Sequence, residues 1–232
     1  MSTATRYQYI RSELDRICRE AGRDPHDVLL LAVSKTVDFD QVQIALDAGA
    51  FAFGENRPDE LLRKQAVFPQ AEWHFIGNIQ SRRIPDIVAA STLIHSVCKE
   101  AHLSKIDSAA QKLGKVQRVL LEVNVSGEES KSGFGPSEVT GVIDRARDLS
   151  SISIDGLMTM APRGEREDII RTFSGLAELK DSLREQVEDE EMLRCFSELS
   201  MGMTEDWHLA IPRGSTIVRV GRAIFDDAFD VV

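Results

Sequence analysis

Cysteine is scarce: Cys18, Cys98 and Cys195 stand far apart in a chain of 232 residues. Their odd number and wide spacing argue against a disulfide framework or a close-spaced zinc site, and they read as free thiols of a reducing cytoplasm. Tyrosine is scarcer still, with only Tyr7 and Tyr9, both close to the start. Basic charge is the minority, since 28 Lys and Arg against 38 Asp and Glu leave a formal net charge of −10. That excludes a broad basic surface for non-specific nucleic-acid binding, though not a local basic pocket. No apolar run approaches the length that crosses a bilayer. The opening MSTATRYQYIRSELDRICRE is charged throughout and has no apolar signal core, so a cytoplasmic location without a membrane partner is expected. No Pro/Gly/Ser-rich linker and no low-complexity tract divides the chain. His74 and His208 lack ligand-like spacing and read as satisfied structural histidines, so no metal site is expected.

What remains is ordinary in composition and regular in order. A hydrophobic fraction of 42% with 28% charged residues suits a folded domain with a full core. Short apolar runs recur at 28–35, 51–56, 73–78, 92–97, 119–125, 153–160, 196–202 and 216–225. Between several of them lie stripes with helical spacing. Val42, Ala45 and Leu46 follow Asp38 and Gln41 in a capping-box arrangement and stop at Gly49. Leu103, Ile106, Ala110 and Leu113 end at Gly114; Val139, Val142, Ile143, Ala146 and Leu149 follow Pro136. The longest stripe begins near Asp168 and runs through Phe173, Leu176, Leu179 and Leu183. The carboxylate cluster Glu188–Glu191 beyond it reads as a solvated loop. Eight strands separated by helical segments, in a chain close to the roughly 250 residues typical of the fold, predict an α/β (β/α)8 (TIM) barrel. An open doubly wound sheet is the alternative. The whole of 1–232 reads as one domain, with 1–27 an additional N-terminal helix and lead-in whose Ile10, Leu14 and Ile17 pack on the barrel's outside or floor.

In a parallel barrel the carboxyl ends of the strands converge on one mouth. They carry Lys35, Asn56, Asn78, Ser96, Asn124, Met158, Ser200 with Gly202, and Arg219 with Gly221. This set holds no general-base dyad and no metal-ligand cluster. Lys35 closes the uninterrupted run LLLAVSK, where a charge is costly unless it faces a cavity or a partner. It is either a solvated strand-end lysine or an amine nucleophile toward carbonyl compounds. The last two strands offer Ser200, Gly202, Gly221 and Arg222 where barrels often bind phosphate, with Arg219 as a fixed positive charge. A turn glycine and a surface ion pair are the plainer readings of Gly221 and Arg219. An amine opposite a phosphate cradle describes an aldehyde-bearing phosphate held as a Schiff base. Pyridoxal 5′-phosphate (PLP) fits, and so does the sugar phosphate of an aldolase.

The fragments LLAVSKT (30–36), FGEN (53–56), WHFIGNIQS (73–81), VNVSGEESKSGF (123–134), GLMTMAP (156–162), LSMGM (199–203) and GSTIVRVGRAIF (214–225) resemble the pyridoxal phosphate homeostasis protein family, in the family's order. The family is similar to the barrel domain of bacterial alanine racemase. The resemblance implies that Lys35 forms the Schiff base. It implies that Ser200, Gly221 and Arg222 hold the phosphate through hydroxyl and backbone donors, with Gly202 beside them and Arg219 near the cofactor. Asn56 and Asn78 are implied around the ring, and Lys131 on the cofactor's side. The chain departs from the family pattern at Val37 and Asp38, where a second lysine is common, at Pro58, and at Asp226.

The expected function is a non-catalytic PLP carrier that buffers the cofactor or delivers it to PLP-dependent apo-enzymes, acting as a monomer. Alanine racemases add a β-rich domain that supplies a tyrosine base. Here the chain runs only to Val232, and its tyrosines lie in the first helix. Two-sided proton transfer then lacks its parts. The alternatives are a PLP-dependent amino-acid racemase or related enzyme, and a Schiff-base aldolase.

Overall fold

The computed structural model describes residues 1–128, 131–186 and 195–230; the Glu188–Glu191 cluster lies outside them. Eight strands pair in parallel and close on themselves in sequence order: β1 Leu29–Val33, β2 Ala52–Glu55, β3 Glu72–Phe75, β4 Leu93–Val97, β5 Gln117–Glu122, β6 Ile152–Met158, β7 Glu198–Met203 and β8 Ile217–Val220. The seam between first and last strand pairs Leu31 with Arg219 and Ala32 with Val220. The predicted barrel forms because each run buries residues on both faces. In β1 the alternate residues Leu29 and Leu31 point inward to a plug with Ala52, Leu93, Leu120, Met158 and Ile217. Leu30 and Ala32 point outward into the larger core shared with the helices.

The helices are α1 Thr3–Glu20, α2 Phe39–Asp47, α3 Pro58–Val67, α4 Ile84–Ala90, α5 Glu100–Lys112, α6 Val139–Ala146, α7 Arg166–Gln186, α8 Trp207–Ala210 and α9 Arg222–Phe225. The extra helix α1, expected on the outside or the floor, reaches both. Arg6 ties it to the flank through the carbonyls of Ala223, Asp227 and Phe229, while Arg11 holds the carbonyls of Pro25 and Val28 at the floor. Half of the capping box at α2 forms: Asp38 accepts from the Gln41 N–H at 2.9 Å, with no return bond from the Gln41 side chain. Leu113 is not part of the buried stripe of α5, since it caps the helix and is exposed.

Two helices escape the apolar periodicity for physical reasons. The buried face of α3 consists of Leu61 and Lys64, so its pattern is half charged. At seven residues with Pro85 in its first turn, α4 is too short to show a repeat. No helix among the described residues is long and apolar enough to cross a membrane.

Candidate functional site

Strand parity decides which polar side chains meet. Lys35, Asn56 and Asn78 continue the inward rows Leu29–Leu31, Ala52–Gly54 and His74–Ile76 past the ends of their strands, and all three are exposed at the mouth. Their loops pack backbone to backbone. A Cβ on Gly77 would collide with the Asn56 carbonyl, so glycine lets the β2 and β3 loops touch. The Ser96 hydroxyl donates to the Gly77 carbonyl and holds the pair from β4. Asn124 turns away into its own loop, where it accepts from Gly127 N–H at 3.1 Å and donates to the Glu128 carbonyl. Lys131 pairs with Glu128 at 2.8 Å and reaches the Met160 carbonyl beyond β6 at 3.5 Å, which places it on the mouth side.

Beneath the mouth runs a chain of buried polar groups. Arg219 donates to the Ser200 hydroxyl at 2.5 Å and to the Thr159 carbonyl at 3.0 Å. Ser200 meets His95 Nδ1 at 2.8 Å, and His95 Nε2 meets His74 Nδ1 at 2.9 Å. Ser200 and Arg219 thus come together. The serine hydroxyl, however, is wholly buried and engaged inward rather than presented to the mouth. His74 is only half satisfied: its Nε2 has no hydrogen bond and lies 3.8 Å from a Glu72 oxygen. His208 sits on α8, exposed and edge-on to Trp207.

Burial pushes the Arg219 guanidinium down to about 10, opposed by the carboxylates of Asp206 and Glu122. Those two acids were not legible as site residues. Glu122 continues the inward row of β5 above Leu120, and burial raises its carboxyl. Burial likewise raises Asp206, which accepts from the Met203 N–H. The chemical character is one buried cation facing two carboxyls held toward neutrality.

The β7–β8 end divides its residues differently from the expectation. Gly202 is a packing position: at φ +95° its added Cβ would lie 2.8 Å from Trp207 Cα and Ala210 Cβ, so glycine seats α8 against β7. Gly221 presses on β1, where a Cβ would come 3.1 Å from the Val33 carbonyl, and its N–H donates to Thr204 Oγ1 at 3.2 Å. The Arg222 side chain points outward to Glu205 at 2.8 Å and lies over the Phe229 ring, so only its backbone belongs to the rim. Thr204 was missed; a hydroxyl directly after SMGM was the available signal. Among the described residues no group of three or more His, Cys, Asp and Glu is suited to hold a metal ion.

The histidine pair has a measurable signature. Burial lowers His74, partly offset by Glu72, and lowers His95 well below the ordinary range, with the charge of Arg219 adding to it. The barrel favours the neutral form of both rings, whereas unfolded imidazoles protonate at about 6.5. Their contribution is therefore complete above about pH 6.5 and is lost as pH falls through the depressed folded values. Glu122 and Asp206 lean the other way, so slopes must be compared. Between about pH 7 and pH 5 the urea midpoint of the wild type should fall more steeply than that of a His74→Gln/His95→Gln variant. Parallel slopes would refute the assignment.

This closed barrel, with a lysine at the end of β1 and a buried arginine on the adjoining β8, defines a class. Residues 7–228 match the family model described as alanine racemase, N-terminal domain. An alanine racemase of Clostridium difficile shares the fold at a TM-score of 0.71 and 16% identity, over 88% of this chain and 57% of that one. Within that class the chain belongs to the pyridoxal phosphate homeostasis protein family. The Aquifex aeolicus protein of that name is 34% identical over 230 residues, covering 98% of this chain and 99% of the other. PipY of Synechococcus elongatus, solved with PLP bound, superposes at a TM-score of 0.83 and 31% identity over 97% of this chain and all of PipY.

Proposed function

We propose that this protein binds PLP through a Schiff base from Lys35 and serves PLP buffering or delivery inside the cell without robust catalysis of its own. The observation that carries the reading is the contact between Gly221 and the Val33 carbonyl. It sets the β8 rim, with Thr204 and the Gly221 and Arg222 backbone, directly beside the strand that ends in Lys35. Several features fit the cofactor: an exposed primary amine, a hydroxyl and backbone donors for an anionic tail, and a buried guanidinium below. Asn56 and Asn78 border the same opening and suit the ring's polar edge. Support also comes from PipY, whose structure has PLP bound, and from the relatives' name.

When bound, the aldehyde condenses with an amine and releases water, which stores the cofactor reversibly. The chain's own residues supply grip and orientation, and the case against catalysis rests on what they lack at the mouth. Tyr7 is buried and donates to the Gly49 carbonyl, and Tyr9 is half-buried against the core and lines a cavity between α1 and α8. Both tyrosines belong to α1 and neither to the strand ends that form the mouth. With no sheet edge to pair, the barrel is proposed to work as a monomer that meets PLP-dependent apo-enzymes only transiently.

Mixing the protein with PLP should give a yellow species that borohydride fixes as an adduct of cofactor mass on the Lys35 peptide. A panel of L- and D-amino acids should show no turnover above free PLP. Turnover that disappears in Lys35→Ala would favour a racemase instead. A trapped adduct of sugar-phosphate mass would favour an aldolase.

A further inference from the structure

The last ladder bond between β1 and β2 is Ser34 N–H to the Gly54 carbonyl. Beyond it the chains part, and β1 turns sharply through Thr36, whose φ of +65° is one that non-glycine residues seldom adopt. Something other than sheet pairing must hold the segment that presents Lys35. A turn bond from Val37 N–H to the Ser34 carbonyl at 3.1 Å supplies part of this hold, and helix α3 supplies the rest. Lys64 Nζ reaches across to donate to the Ser34 carbonyl at 2.7 Å and to Glu55 Oε1 at 2.5 Å. The Ser34 hydroxyl donates to the same Glu55 oxygen at 2.9 Å, and the other Glu55 oxygen accepts from Asn56 N–H at 3.3 Å. The N–H, carbonyl and hydroxyl of Ser34 are thereby all engaged, immediately before Lys35. Lys64 and Glu55 are each 1% exposed.

A fully buried ion pair is a poor device for stability, because desolvating both charges consumes most of what their attraction returns, and an apolar pair of similar volume often serves as well. What such a pair does supply is a unique geometry. We infer that Lys64 and Glu55 are positioning residues for the Schiff-base amine: they clamp Ser34 so that Lys35 is delivered at one place on the mouth, next to Asn56. The inference rests on the proposed Schiff base at Lys35. It assigns the two lysines opposite tasks. Lys35 is exposed and its ammonium makes no hydrogen bond or ion pair among the described residues. Lys64 is sealed and paired, and so is withheld from aldehydes while it orients the other.

The test uses the double variant Lys64→Met/Glu55→Leu, which removes both charges together and leaves no unpaired one. Three readouts are needed: the rate at which the Schiff-base absorbance appears on mixing with PLP, the affinity for pyridoxine 5′-phosphate, and the thermal midpoint. Pyridoxine 5′-phosphate carries an alcohol in place of the aldehyde and binds without condensing. The expected result is a condensation rate lower by about tenfold to a hundredfold, with the alcohol's affinity and the midpoint near wild type. Ser34→Ala, which removes one bond of the clamp, should slow condensation by a few-fold and keeps the test available if the double variant does not fold. An unchanged rate in either folded variant overturns the inference. So does a parallel loss of alcohol affinity and rate, which would mean general loosening. Failure of the wild type itself to condense would instead overturn the Schiff-base reading on which this one stands.

Discussion

Replacing Lys35 with alanine is expected to abolish the borohydride-reducible adduct while leaving the barrel intact. The two outcomes separate because of where the residue sits. Its ammonium is exposed and unpartnered among the described residues, so truncation should change stability by no more than about 0.5 kcal/mol. The β8 rim and Arg219 remain, and PLP should still bind without condensing, about a hundredfold more weakly, which corresponds to ~2.7 kcal/mol. Absorbance, peptide mass and a titration by fluorescence measure the three quantities. A reducible adduct that persists at another lysine would remove Lys35 from the centre of the proposal.

Arg219→Met should have the largest effect on stability. Arg219 is 5% exposed, and its guanidinium donates to Ser200 and Thr159 while facing Glu122 and Asp206. Methionine fills much of the volume but none of the charge, so the two buried carboxyls lose the cation that both of them sense. The expected cost is about 3–5 kcal/mol, read from the urea midpoint. Its pH dependence follows from the same contacts. Burial already raises both carboxyls, and removing the cation raises them further. Stability tied to a raised carboxyl is present below its unfolded pKa and lost as pH rises through the folded one. The deficit of the variant should therefore be larger near about pH 8 than near pH 5. An equal deficit at both would mean that the carboxyls do not sense Arg219. The same variant should weaken PLP binding if Arg219 supplies the buried positive charge of the proposed site.

Much of the architecture could be read locally. Each strand is a run buried on both faces, and Lys35, Asn56 and Asn78 could be placed at strand ends by counting. The interior polar groups could not. His74 and His95 stand 21 residues apart, and only the adjacency of β3 and β4 brings their nitrogens to 2.9 Å. Lys64 was hidden because an apolar periodicity search treats a lysine as solvent-facing, whereas here Glu55 and a backbone carbonyl make its burial possible. Ser200 and Gly202 were assigned to phosphate by their strand position. Which way their groups point depended on Arg219 and on the seating of α8.

The amino-acid order alone determined the eight strands, the longer helices and the amine at the end of β1, since these follow from burial patterns within a few residues. Closure of the barrel decided the rest. Joining β8 to β1 set Gly221 against Val33, and the register of neighbouring strands chose which inward rows share a layer. Contacts between charges distant in the chain arise only when the sheet closes on itself, because no local propensity encodes them.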